Sequence, residues 1–109
     1  SIPMSAEALF QRGERERLNS NYPGAIASYK KAIELDPNHA GAYVGRCKSR
    51  SMINDTGAIT DCTQAIKLSP KDDSNYYWRA KVQMNLQDKI ADYTEAIRLN
   101  PSSRVNYYY

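Results

Sequence analysis

Histidine, tryptophan and phenylalanine each occur once in these 109 residues, and cysteine twice. The nucleotide, phosphate and metal signatures GxGxxG, GxxxxGK, HExxH and CxxC are missing. His39 follows a Pro-Asn pair at an expected helix start and reads as a solvated loop residue, not a general base. Asp72 and Asp73 are adjacent, so on a helix they cannot face each other, and they read as caps. With no convergent acid, base or nucleophile, the expectation is a chain that is not an enzyme and needs no metal or cofactor. Cys47 and Cys62 form neither a disulfide framework nor a metal-ligand pattern. Paired helices could bring them together, but both read as small buried hydrophobes, unpaired, in a reducing compartment, so a cytoplasmic location is expected. No run of about eighteen apolar residues is present, so no helical membrane span is expected. The opening SIPMSAEALF lacks the basic start and apolar core of a signal peptide, and residues 1–5 read as a leader or remnant. A net charge of +3 is too small to argue for nucleic acid, and Lys30, Lys31, Lys67, Lys71 and Arg98 are dispersed among acids.

What the chain has is one phrase spoken three times. Ala25 to Pro37 reads AIASYKKAIELDP, Ala58 to Pro70 reads AITDCTQAIKLSP, and Lys89 to Pro101 reads KIADYTEAIRLNP. Aligned on the prolines, Ile26, Ile59 and Ile90 share a column, as do Ala32, Ala65 and Ala96, and Leu35, Leu68 and Leu99. The apolar residues recur at three-and-four spacing, which predicts a helix with one buried stripe. Proline forces the residue before it out of helical geometry, so each helix stops at Leu-X-Pro, where X is Asp36, Ser69 or Asn100.

A second helix precedes each phrase. The predicted spans are Ala6 to Asn19, capped by Ser5; Ala40 to Ile53, capped by Asn38; and Ser74 to Leu86, after the KDDSN cap candidates. Thr56 is the expected cap of the second phrase, and Pro23 suits the first turn of the helix that carries the first phrase. Tyr43, Tyr76 and Tyr107 share a column six residues beyond Pro37, Pro70 and Pro101. Arg12, Arg46 and Arg79 share another, and next to it stand Gly13, Cys47 and Ala80, small residues where paired helices must approach closely.

Helix, turn, helix and proline, repeating about every 34 residues, resembles the tetratricopeptide repeat family. The columns that carry the resemblance are Gly13, Tyr22, Ala25, Tyr29, Ala32 and Pro37 in the first unit. Their counterparts include Tyr43, Ala58, Ala65 and Pro70 in the second, and Tyr76, Ala80, Tyr93, Ala96 and Pro101 in the third. The fold implied is an all-α, right-handed superhelix, a solenoid of three helix-turn-helix repeats plus the start of a fourth. Residues 6–109 form a single domain with repeats at about 6–39, 40–72 and 73–103 and a partial fourth at 104–109. The third unit departs from the pattern: Pro70 to Pro101 is only 31 residues, and Lys89 stands where Ala25 and Ala58 stand earlier.

The resemblance implies a protein–protein interaction scaffold or adaptor that binds a peptide or helical segment in its concave groove. The implied lining is Phe10, Gln11 and Glu14, then Val44, Gly45 and Lys48, then Tyr77, Trp78 and Lys81, continued by Tyr108 and Tyr109. Tyr77, Trp78, Lys48 and Lys81 are the strongest partner-binding candidates, because rings supply contact area and lysines charge selectivity. Tyr29, Tyr43, Tyr76 and Tyr93 read as packing residues. Relatives that hold the acidic tail of Hsp70 or Hsp90 chaperones do so with a clamp of lysines, asparagines and an arginine. The matching places here are Phe10, Glu14, Gly45, Ser74 and Trp78, which argues against that partner. The alternative is a structural module that self-associates as a homo-oligomer through residues 102–109.

Overall fold

The computed structural model describes residues 2–103. The expected fourth unit at 104–109, with Tyr107, Tyr108 and Tyr109, lies outside the described residues. Six helices run in order: α1 Ala6–Leu18, α2 Tyr22–Leu35, α3 Ala40–Met52, α4 Ala58–Leu68, α5 Asp73–Val82 and α6 Leu86–Leu99. They pair as three hairpins stacked into an all-α, right-handed solenoid, 48 Å long and 25 × 22 Å across. α2 also packs on α3, and α4 on α5, while α1 touches α3 and α3 touches α5. The odd-numbered helices therefore form one continuous inner row.

Local chemistry sets the helix ends. Ser5 accepts a hydrogen bond from the Ala8 amide at 3.0 Å and caps α1, as its position before Glu7 suggests. Asp36, Ser69 and Asn100, the residues before the three prolines, have ψ of 90°, 73° and 79°, and each helix stops there. Two cap assignments and one helix end change. His39, not Asn38, caps α3, its Nδ1 accepting from the Ala42 amide at 3.0 Å. Gly57, not Thr56, precedes α4, in a turn where Asp55 accepts the Gly57 amide at 2.8 Å. Helix α5 ends at Val82 instead of Leu86, because Gln83 is extended and Asn85 caps α6 by accepting from the Asp88 amide. The third hairpin turn is thus Gln83, Met84 and Asn85, and the shortening falls in α5, which has 10 residues against 13 in α1 and α3. Met84, inside the helix span expected from sequence, is 97% exposed in this turn. Lys89 has a use in this shortened hairpin: its Nζ donates to the Ala80 carbonyl near the end of α5 at 2.7 Å.

The small-residue column does what close approach requires. Tyr29 is fully buried, and a Cβ on Gly13 would lie 2.8 Å from its ring. Gly45, on the next helix, covers the same ring from the other side and leaves even less room for a Cβ. In the second hairpin the equivalent pair is Cys47 and Cys62, and they are joined in a disulfide with Cα atoms 5.5 Å apart. This corrects the reading of two unpaired cysteines. The hairpin puts the small-residue column of one helix against the aromatic column of the next, so cysteine in both columns brings the two sulfurs together. The argument for a reducing compartment falls with it.

A buried ionic layer runs beside these pairs. Arg46 holds Asp61 with two hydrogen bonds of 2.9 and 2.8 Å, and Arg50 adds a third at 2.8 Å. Arg79 holds Asp92 with two bonds of 2.8 Å, supplemented by Gln83 at 3.1 Å. Both carboxylates are buried. In the first hairpin Ser28 replaces the aspartate, accepting from Arg12 at 3.0 Å and donating to Glu16 at 2.5 Å.

Candidate functional site

The inner row of α1, α3 and α5 carries every candidate residue that falls within the described chain. Its two halves differ in chemistry.

The half nearer α1 is internally satisfied. Phe10 is half-buried against the first core cluster, 6.0 Å from the Tyr29 ring and 4.6 Å from the His39 ring. His39 is therefore no solvated loop residue: beside capping α3 and leaning at a tilt on the Phe10 ring, its Nε2 lies 3.1 Å from Glu7. Glu14 is half-buried and accepts a short hydrogen bond from the Tyr29 hydroxyl. Arg17 closes the triangle, reaching Glu14 at 3.1 Å and donating to the Tyr29 oxygen at 3.2 Å. Burial first, and then the hydrogen bond to Glu14, hold the Tyr29 phenol far above the ordinary tyrosine range. Gln11 is exposed and bonded only to Glu7, and Val44 is half-buried.

The half nearer α5 is aromatic and basic. Tyr77 meets Trp78 edge-on at 5.8 Å and Tyr93 at the same distance. Trp78 is half-buried and packs on the cluster formed by Cys47, Ala58 and Cys62. The Lys48 ammonium lies 5.3 Å from the Trp78 ring centre, and the Lys81 ammonium lies 5.6 Å from it and 5.4 Å from that of Tyr77. Burial, reinforced by the Arg17 charge, lowers the Lys48 pKa. Among the described residues neither ammonium forms an ion pair or hydrogen bond. The structure thus brings Tyr77, Trp78, Lys48 and Lys81 together and sets Phe10 and Glu14 in a separate network. Tyr108 and Tyr109 lie outside the described residues.

Sequence reasoning passed over the aspartates. Asp61 and Asp92 precede Cys62 and Tyr93 in the repeated phrase, and the arginine column faces them. A column of Ser28, Asp61 and Asp92 was the available signal. No helix of the described residues is long and apolar enough to cross a membrane, and no cluster of metal-ligating side chains occurs among them.

A model of the TPR repeat family matches residues 6–47. Small glutamine-rich tetratricopeptide repeat-containing protein beta of Homo sapiens is 40% identical over 58 residues, covering 52% of this chain and 19% of its own length. Serine/threonine-protein phosphatase 5 of Rattus norvegicus is 35% identical over 89 residues, covering 74% of this chain and 18% of its own length. The chain spans about a fifth of the length of these relatives. Among solved structures, the first TPR of Spaghetti (RPAP3) bound to the HSP90 peptide SRMEEVD superposes with a TM-score of 0.90 at 21% identity, over 94% of this chain and 85% of that one. The Arabidopsis OM64 TPR domain gives 0.89 at 22% identity, over 94% and 88%. At these identities the likeness establishes the fold.

Proposed function

Because the chain belongs to the tetratricopeptide repeat family, we propose that it is a protein–protein interaction module that receives a peptide or helical segment of a partner on the row formed by α1, α3 and α5. One observation carries the reading: two ammonium groups, Lys48 and Lys81, share the indole of Trp78, and neither has an anionic partner among the described residues. The ammoniums lie 5.3 and 5.6 Å from the indole centre, and a carboxylate arriving beside the ring can pair with an ammonium in a partly desolvated setting, where the attraction exceeds its value in water. The indole and the Tyr77 ring supply flat apolar area beside it. The partner this surface suits has an acidic group next to an aromatic or aliphatic anchor.

A solved relative is titled as bound to an HSP90 peptide. In this chain the clamp positions implied by family resemblance hold Phe10, Glu14, Gly45, Ser74 and Trp78. None of the five is a lysine, asparagine or arginine, and Phe10 and Gly45 offer no side-chain hydrogen bond, so our reading is a different acidic partner. Binding, not catalysis, is the proposed activity, and the buried cystine suits an oxidising compartment.

The test is an array of synthetic peptides of mixed composition, probed with this chain and with a Lys48→Glu/Lys81→Glu variant whose helicity is checked by circular dichroism. The expected result is capture of peptides that pair acidic with aromatic or aliphatic residues, lost in the variant. Undiminished capture by the variant sinks the groove reading.

A further inference from the structure

Shortening the third hairpin leaves an opening. Helix α5 stops at Val82, and between its end, the 54–56 turn and the start of α4 lies a cavity of about 430 Å³. Its apolar wall is Ala58, Ile59, Val82 and Met84, and Thr56 and Lys81 stand among its polar lining. The cleft is open to solvent on the side of Met84, and its volume falls within the range of small-ligand sites, about 300–1,000 Å³. Asp55, the carboxylate in the lining, is already held by Arg50 at 3.7 Å and by the Gly57 amide. That leaves the Lys81 ammonium as the uncompensated charge of the cavity among the described residues.

Lys81 both lines this cavity and lies over the Tyr77 and Trp78 rings. A carboxylate resting on its ammonium therefore has aromatic surface on one side and the apolar cavity on the other. We propose that the cavity is a second receptor site, which takes a bulky apolar side chain from the same partner segment whose acidic group sits on Lys81. The proposal deepens the groove reading and rests on it. It gives the segment an order: an anchor for Trp78 and Tyr77, then an acid, then an apolar group that enters the cavity. Continuity of the two surfaces through one cation selects a single peptide over two separate ligands, and the cavity's charge selects an acid over a base.

The probe is phenylbutyrate, a ring on a short chain ending in a carboxylate, titrated into isotopically labelled protein and followed by amide and indole NMR shifts. The uncharged phenylbutyramide is the control. The expected result is shifts at Thr56, Ala58, Ile59 and Val82, weakened about five-fold for the amide and for Lys81→Gln. Thr56→Trp, which fills the cavity from an exposed turn, abolishes those shifts, while Thr60→Trp on the exposed side of α4 leaves them. Shifts confined to the Trp78 indole and Tyr77 overturn the second site and leave the groove standing. Cavity shifts equal for acid and amide overturn the link through Lys81. No shift at either place overturns the cavity proposal, and the peptide array still decides the groove separately.

Discussion

Trp78 fills, against Cys62, the space that Tyr29 fills alone beneath Gly45. Tyr29 and Cys62 share one column of the repeat, and Gly45 and Trp78 share another. One hairpin puts the large residue below and glycine above, and the next puts cysteine below and tryptophan above. Close-packed interiors permit such an exchange only when both positions change together. Trp78 therefore both packs the core and faces the groove. The expected cost of Trp78→Gly is about 3–5 kcal/mol, as for other aromatic truncations in cores. The triple change Cys47→Gly, Cys62→Tyr and Trp78→Gly copies the first hairpin's arrangement and, compared with Trp78→Gly under a strong reductant that removes the disulfide from both sides of the comparison, should recover much of that loss. Urea unfolding checks it, and a triple variant no more stable than Trp78→Gly would refute the exchange.

The Cys47–Cys62 bond closes a loop with a sequence separation of 15. Removing such a crosslink frees the unfolded chain by about 3 kcal/mol. Unfolding with and without a strong reductant should differ by about that amount. An identical midpoint in both conditions would mean that the thiols are not joined in solution.

Asp61→Ala is expected to cost about 3–5 kcal/mol, because it strands the guanidiniums of Arg46 and Arg50 in a half-buried setting. Ser28→Ala, the equivalent change in the first hairpin, removes a neutral hydroxyl and should cost about 1 kcal/mol. Thermal unfolding of the two variants gives the comparison; equal losses would argue that the ionic layer contributes no more than the hydroxyl.

The periodic part of this fold was legible in the chain. Isoleucine, alanine and leucine columns located the second helix of each hairpin, and the prolines fixed its end to the residue. Ser5 as a cap and Tyr29 and Tyr93 as core residues followed from the same reasoning. Exceptions to the period were harder to see. A cysteine in two columns looks like two small residues until the columns are known to touch. His39 looked solvated because its partners, Glu7 and Phe10, lie one hairpin back. The early stop of α5 depends on Asn85 winning as a cap over four further residues of helix, a contest that periodicity does not score. Of the site, Tyr77, Trp78, Lys48 and Lys81 came from family resemblance, and their meeting at one indole came from the structure. The cavity beside them had no sequence signal beyond the short spacing of 31 residues from Pro70 to Pro101.

Binding of an acidic segment should weaken at alkaline pH. Burial and then Arg17 lower the Lys48 pKa from its ordinary 10.5, and a bound carboxylate raises it again. The complex thus keeps a proton that the free protein loses. Affinity is full below the free-state pKa and falls as pH rises through it, beginning below 10.5. Lys48→Arg stays charged throughout and flattens the profile. Calorimetry with a peptide from the array tests this, and the idea fails if both proteins show the same alkaline loss.

Lys89→Met removes the ammonium from the Ala80 carbonyl and should cost about 1 kcal/mol, with faster amide exchange at the end of α5 and little change in α1 to α3. Uniform loss of protection across all six helices would show that the third hairpin does not open on its own.

The disulfide sits in the middle hairpin, with one hairpin stacked on each side. In a linear array each unit is steadied only by its neighbours, so the ends loosen before the centre. A clasp at either end would protect the unit that frays first. A clasp at the centre instead leaves a folded seed from which both flanks can zip back after every excursion. Under pulling or proteolysis this chain should therefore lose its outer hairpins one at a time and give up the middle one last.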